Sequence, residues 1–150
     1  MEIIKNKLFR LVLLLFLLAL AFHSSLKLIW VSGSSMEPWY KDGDIILIDV
    51  LSYRFKPIKR YDIVIVKTEG EIWVKRIIGL PNEKIEFKDG EFFINGELLN
   101  KDFYKKPELT NFEITSEKIK KNYYFVIGDN RNDSAFGFFH KDEIVGKVFY

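Results

Sequence analysis

The first thirty residues, MEIIKNKLFRLVLLLFLLALAFHSSLKLIW, constrain this chain more than any other feature. Lys5, Lys7 and Arg10 precede an unbroken apolar run from Leu11 to Phe22. That run alone is shorter than the ~20 residues a membrane span requires. Extended from Leu8 through Ser24, Ser25 and Leu28 to Trp30, it covers about 23 residues. As helix this is roughly 34 Å, enough to cross a bilayer with some tilt. Basic residues ahead of the run favour a cytoplasmic N-terminus and place the remainder of the chain outside. The expectation is a single-pass protein of the cell (plasma) membrane. Residues 1–30 form its cytoplasmic tip and transmembrane anchor, and residues 31–150 an extracytoplasmic domain. Two other readings share the pattern: a cleavable secretory signal, for which Ala19–Ala21 offers an A-x-A site, and a buried helix of a soluble protein.

From Asp44 onward the apolar period becomes strand-like. DIILIDV (Asp44–Val50), YDIVIVK (Tyr61–Lys67) and EIWVKRIIG (Glu71–Gly79) are short runs rich in Ile and Val. KIEFKDGEFFINGELL (Lys84–Leu99) reads as strands joined at Asp89–Gly90 and Asn95–Gly96, the strongest short hairpin signals. YYFVIGD (Tyr123–Asp129) and EIVGKVFY (Glu143–Tyr150) add two more strands. Asn100 to Asn122 is polar and Lys-rich, a loop with at most one short helix after Ser116. The fold class expected is mainly β: a small antiparallel, partly closed β-domain carried on one N-terminal transmembrane helix.

Composition narrows the chemistry. A net charge of +2 over 150 residues argues against a nucleic-acid footprint, which needs a concentrated basic face. The chain has no cysteine, which excludes disulfides, thiolate catalysis and Cys-type zinc sites. It has two histidines, His23 and His140, so a His-based triad or His-ligated metal is poorly supplied. No cofactor and no metal are expected.

Past the apolar run comes VSGSSMEPWYKDGDIILI (Val31–Ile48), with two serines and a methionine between a glycine and a proline. A serine hydroxyl is a weak nucleophile until a neighbouring base takes its proton. Without a usable histidine the bases left are carboxylates and lysines, and Lys75 stands out in IWVKRIIG. Alternation puts Trp73, Lys75 and Ile77 on one strand face, and Ile72, Val74, Arg76 and Ile78 on the other. A lysine desolvated on an apolar face loses its proton more readily. The plainer readings are a Lys75 that runs to the sheet edge, and a GSSMEP turn that links anchor to domain with Met36 in the core.

Taken together, these stretches resemble the type I signal peptidase family, the membrane-bound Ser/Lys serine proteases that remove signal peptides. VSGSSMEP corresponds to the family's G-x-S-M-x-P box, with Ser35 at the nucleophile. RYDIVIVK (Arg60–Lys67) is similar to the box usually read R-G-D-I-V, with Tyr61 in place of Gly. VKRIIGLPNEKI (Val74–Ile85) resembles K-R-x-x-G-x-P-G-D and puts the general-base lysine at Lys75. GDNRNDS (Gly128–Ser134) resembles G-D-N-x-x-x-S, and FGFFHKDEIVGKV (Phe136–Val148) its continuation. There are departures. NDSAFG (Asn132–Gly137) is some three or four residues shorter than the family's stretch and lacks its arginine. Ser134 is then either the serine that orients the lysine or part of the Asp-Ser pair. Gly33 stands where some members carry an oxyanion-hole serine, and Trp39 where the family often has Thr.

The resemblance implies a membrane serine endopeptidase acting on preprotein signal peptides, with small residues at the first and third positions before the cut. Catalysis is expected from Ser35 and Lys75. Support is expected from Ser34, Gly33, Met36 and Ser134, with Arg76, Asp129, Asn130 and Arg131 as scaffold. Gly33 would let the backbone approach the substrate closely. Partners are preprotein signal peptides and membrane lipid, with no nucleic acid and no metal. Trp39, Tyr40, Tyr53 and Phe55 are expected at the membrane interface. The alternatives are a catalytically impaired membrane-anchored adaptor that binds peptides on the same fold, favoured by the short Asn132–Gly137 loop, or a peptidase dedicated to one pilin or secreted partner.

Overall fold

A computed structural model describes residues 2–99 and 114–149. Helix α1 (Glu2–Ser25) carries the apolar run. Its described side chains from Leu8 to Leu17 are exposed, as Leu, Val and Phe on every side of a helix must be when no sheet covers it. Among the described residues no helix is long and apolar enough to cross a membrane. Within α1 those side chains are residues 6–17 and Ser25.

The helix gives way directly to strand β1 (Leu26–Trp30), which pairs with β2 (Ile45–Asp49) from Leu26↔Asp49 to Trp30↔Ile45. The Val50 N–H seals the junction by donating to the Ser25 carbonyl at 2.9 Å. The expected boundary at Trp30 therefore lies inside the sheet. Hydropathy runs on unbroken from helix to strand, and the pairing with β2 decides where one ends.

A helical turn α2 (Ser52–Phe55) leads to β3 (Ile63–Lys67) and β4 (Ile72–Gly79). Then come β5 (Lys84–Lys88), β6 (Glu91–Ile94) and the two-residue β7 (Glu97–Leu98). Asp89–Gly90 and Asn95–Gly96 make the two turns, with φ of 53° and 76°, then 53° and 87°. Positive φ at both central residues matches the twist of the flanking strands, as those dipeptides foretell. Strand β8 (Ile114–Lys118) follows, then β9 (Tyr123–Ile127), β10 (Phe136–His140) and, after one 3₁₀ turn at Lys141–Glu143, β11 (Ile144–Val148).

Every pairing among the described strands is antiparallel. They form a seven-stranded sheet ordered β1-β2-β11-β3-β4-β9-β10 and a four-stranded sheet ordered β7-β6-β5-β8. The mainly antiparallel β fold is as expected. The strands fall into two sheets, with β1 and β10 at the edges of the larger. The segment after Ser116 is the strand β8, not a helix. Its pairing with β5 (Lys84↔Lys118, Ile85↔Glu117) overrides the local preference of a Lys-rich stretch. The first part of the loop expected over residues 100–122, residues 100–113, lies outside the described residues.

Strand β3 is buried on both faces. Ile63 and Ile65 pack with Val31, Met36, Ile46, Ile48 and Val148. Val64 and Val66 pack with Ile77, Val126, Phe139 and Ile144. A third cluster around Phe87, Phe92 and Phe125 joins the small sheet to β4 and β9. Strand β4, which pairs with β3 along its length from Ile72 to Arg76, lies beside this doubly buried strand.

Tyr40 and Tyr53 are half-buried against these clusters, and the Tyr53 hydroxyl donates to Asp62. Trp39 and Phe55 are exposed, and so are Leu28, Trp30 and Ile45 on the outer face of β1 and β2. Strand β1 adds that apolar face by pointing alternate side chains away from the core.

Candidate active site

The serine loop connects β1 to β2. The Val31 N–H to Asp44 carbonyl bond (2.8 Å) and the Gly43 N–H to Val31 carbonyl bond (2.9 Å) close its base. Met36 is 1% exposed and pins the loop to the core cluster beneath. Glu37 N–H donates to the Ser34 carbonyl, and Trp39 and Tyr40 N–H to the Met36 carbonyl, so the turn around Ser35 is tight. Gly33 adopts φ 87° and donates its N–H to Asp42 Oδ1 at 2.8 Å. A side chain at Gly33 would meet open space, so the position needs glycine for its left-handed backbone, not for room.

Lys75 lies on β4 opposite Val64. Its neighbours Trp73 and Ile77 pack on the Val64 cluster, as the alternation requires. The Lys75 Nζ is 2.8 Å from Ser35 Oγ and 5.6 Å from the centre of the Trp73 ring. The residue is 4% exposed. Burial pushes the Lys75 ammonium down from 10.5 to about 8, with Asp133 and Asp129 pulling the other way. At that value a sizeable share of the lysine is neutral near physiological pH, so it can accept a proton.

Strand β9 pairs with β4 from Arg76 onward, so the Ile72–Lys75 stretch is paired by β3 and not by β9. Facing it across a cavity of about 650 Å³ is the segment Ile29–Met36, with Asp133 and Ala135 at the side. Ser35 and Lys75 lie together on this groove.

The loop after β9 grips the serine turn. The Asn130 N–H donates to the Ser35 carbonyl (3.0 Å) and the Asn130 Nδ2 to the Ser34 carbonyl (3.2 Å). The Ser34 hydroxyl donates to Asp133 Oδ2. The Ser134 hydroxyl accepts from the Gly128 N–H (2.6 Å) and donates to the Ala135 carbonyl (2.9 Å), which directs it to its own loop instead of Lys75. Behind the groove, Arg76 grips the fully buried Asp129 through Nε and Nη2 at 2.8 and 2.6 Å, and donates Nη1 to the Tyr61 carbonyl. Burial pushes the Asp129 carboxyl up, and the Arg76 guanidinium opposes that shift. Arg131, also buried, lies 4.9 Å over the Phe92 ring. Trp39 sits 5.9 Å from the Arg76 guanidinium. His140 caps the 3₁₀ turn after β10, bonded to Asp142 and Glu143.

Three site residues escaped the sequence reading. Asp42 and Asp133 hold Gly33 and Ser34, and Gly128 lies against the Ser35 carbonyl. For Gly128 a signal existed, as the first letter of the GDNRNDS stretch. Asp42 and Asp133 look in sequence like ordinary turn carboxylates.

The family model described as signal peptidase, peptidase S26, matches residues 2–150. Signal peptidase I V of Bacillus subtilis (strain 168) is 35% identical over 135 residues, covering 79% of this chain and 80% of the relative. Signal peptidase IB of Staphylococcus aureus (strain Mu50) is 29% identical over 141 residues, covering 80% and 74%. The crystal structure of a signal peptidase I from Enterococcus faecalis V583 superposes with a TM-score of 0.54 at 29% identity, covering 63% of this chain and 98% of that one. With a buried lysine bonded to a serine on a groove, and a family match that runs along nearly its whole length, this chain belongs to the signal peptidase family, peptidase S26.

Proposed function

We propose that this chain is a membrane-anchored serine endopeptidase that removes N-terminal signal peptides from secreted preproteins, with Ser35 as nucleophile and Lys75 as general base. Family membership supports the hydrolase activity and the substrate class. The observation that carries the dyad is the 2.8 Å contact between Lys75 Nζ and Ser35 Oγ inside a groove. Neutral Lys75 takes the Ser35 proton as the oxygen attacks the scissile carbonyl. The Ser35 N–H stabilises the oxyanion, a contribution of about 2.7–4 kcal/mol per donor in serine enzymes. Ser34 spends its hydroxyl proton on Asp133, so the backbone donor carries the oxyanion. Lys75 then protonates the leaving amine and activates the deacylating water. An extended peptide fits the groove as an added strand along Ile72–Lys75, with the half-buried Trp73 lying beside Lys75.

The apolar run Leu11–Phe22, with Lys5, Lys7 and Arg10 ahead of it, is the sequence feature that supports anchoring with a cytoplasmic N-terminus. The exposed Leu28, Trp30 and Ile45 continue its apolar surface onto the domain. Ser35 is then held close to the outer face of the membrane, where a signal peptide's cleavage site emerges. The short Asn132–Gly137 loop does not argue for an inactive adaptor, because its Asp133 reaches the serine turn. The test is to incubate the detergent-solubilised chain with a preprotein, beside Ser35→Ala. A shortened product from the wild type alone is expected, and a preprotein left intact by both would overturn the assignment.

A further inference from the structure

Among the residues around the dyad, Asp133 takes no part in the proton transfers of Ser35 and Lys75, yet it touches the residue next to the nucleophile. The peptide unit between Ser34 and Ser35 carries the N–H that must receive the oxyanion, so whatever fixes that unit fixes the hole. Its carbonyl, on Ser34, accepts from Asn130 Nδ2 at 3.2 Å. The Ser35 carbonyl beyond it accepts from the Asn130 N–H at 3.0 Å. The Ser34 side chain is tied to Asp133 Oδ2. All three ties come from one short loop, residues 128–134, which is itself cross-braced by the Ser134 hydroxyl and the Gly128 N–H. Removing one tie loosens the hold on this peptide unit, and a displacement of the order of 1 Å at a reacting group can cost about 10²-fold in rate.

We propose that Asp133 is a positioning residue of this peptidase: by accepting the Ser34 hydroxyl proton it locks the Ser34–Ser35 peptide unit, and it stands as a fixed negative charge on the groove beside Lys75. The inference rests on the dyad reading for its effect on rate, but not for its effect on geometry. The carboxylate lines the same groove as Ser34, Ser35 and Lys75. Among the described residues the charged groups around Lys75 are few. Asp129 is spent on Arg76 with Arg131 nearby, Glu71 at the far end of the groove wall accepts from the Trp73 indole (2.8 Å), and Asp133 is held by a neutral hydroxyl. Of the two carboxylates that act to keep the Lys75 ammonium protonated, Asp133 acts more strongly than Asp129. The position combines two roles that substitution can separate, because an amide keeps the acceptor and loses the charge.

The experiment compares Asp133→Ala, Asp133→Asn and Ser34→Ala in the full detergent-solubilised chain. It follows preprotein cleavage against pH, the Lys75 titration by NMR of ¹³C-labelled lysine, and hydrogen exchange at the Ser35 amide. Asp133→Ala and Ser34→Ala should each lower kcat at the alkaline plateau by about tenfold or more, with faster Ser35 amide exchange. Combining them should add little, since both cut the same tie. Asp133→Asn should recover most of the loss in Asp133→Ala. Both Asp133 variants should lower the Lys75 midpoint by about half a pH unit or more, while Ser34→Ala leaves it in place. A Ser34→Ala enzyme with wild-type kcat and amide exchange, or a Lys75 midpoint unmoved by Asp133→Asn, would overturn the proposal. A wild type that cuts no preprotein but shows the NMR and exchange changes would overturn the peptidase reading and leave the clamp standing.

Discussion

Gly128 and Ser35 stand in direct contact. A methyl group on the Gly128 Cα would overlap the Ser35 carbonyl oxygen and lie 3.0 Å from its carbon. The oxygen it would strike is the one that Asn130 N–H holds. Neither side can yield cheaply, because both are backbone. Gly128→Ala should therefore push the serine turn off Lys75 and lower kcat by about 10²-fold, with little change in secondary structure. Cleavage kinetics alongside circular dichroism check this. Near-wild-type turnover would mean the loop can move without disturbing Ser35.

The dyad itself predicts that Ser35→Ala and Lys75→Ala each abolish processing while the fold survives. The two side chains act as a unit, so losing either should cost nearly as much as losing both. Residual activity within about tenfold of wild type for one variant would take that residue out of the mechanism.

The buried lysine sets the pH dependence. Activity requires neutral Lys75, so kcat/KM should rise along one ionisation centred near pH 8. A limb centred near 6 would point to histidine instead. For stability the sign is opposite to that of an ion-paired lysine. The folded value, about 8, lies below the ordinary 10.5, so the fold loses stability as pH falls from about 10.5 to about 8 and holds level below. That difference corresponds to about 3 kcal/mol at neutral pH. Lys75→Met should be inactive yet at least as stable as wild type at pH 7, an advantage that vanishes above about pH 10.5. Chemical denaturation at several pH values measures it, and a markedly less stable variant would show that the ammonium is well paired.

Arg76 and Asp129 predict a structural effect. Removing the guanidinium leaves a fully buried carboxylate without its bidentate partner. Arg76→Met should cost about 3–5 kcal/mol, and adding Asp129→Leu should recover much of it. If Arg76→Met abolished cleavage at unchanged stability, Arg76 would be a reacting group instead of scaffold.

The anchor proposal predicts that the mature protein keeps Met1 or Glu2. Ala19–Ala21 lies inside α1, one turn or so before the strand β1 that completes the sheet. N-terminal sequencing of membrane-extracted protein decides the matter, and a chain beginning at Phe22 would identify a cleaved signal.

Much of this protein was legible in sequence because its determinants are local. Ile/Val alternation marked β2, β3, β4, β9 and β11, and positive-φ dipeptides marked both turns of the small sheet. The alternation also put Lys75 on the apolar face with Trp73 and Ile77. What sequence left open depends on partners far along the chain. Leu26–Trp30 reads as more of the apolar helix until β2 offers it a ladder, and Ile114–Lys118 as loop or helix until β5 does. Phe136–His140 has a glycine near its start and becomes a strand because β9 pairs with it. At the site, the lysine's partner is 40 residues away, and Asp133 meets a serine 99 residues before it. Ser134 could have faced the lysine or its own loop on sequence grounds, and it faces Gly128. Local pattern determines which residues are strand and which face they show, whereas register, edges and long-range hydrogen bonds exist only once distant segments are packed together.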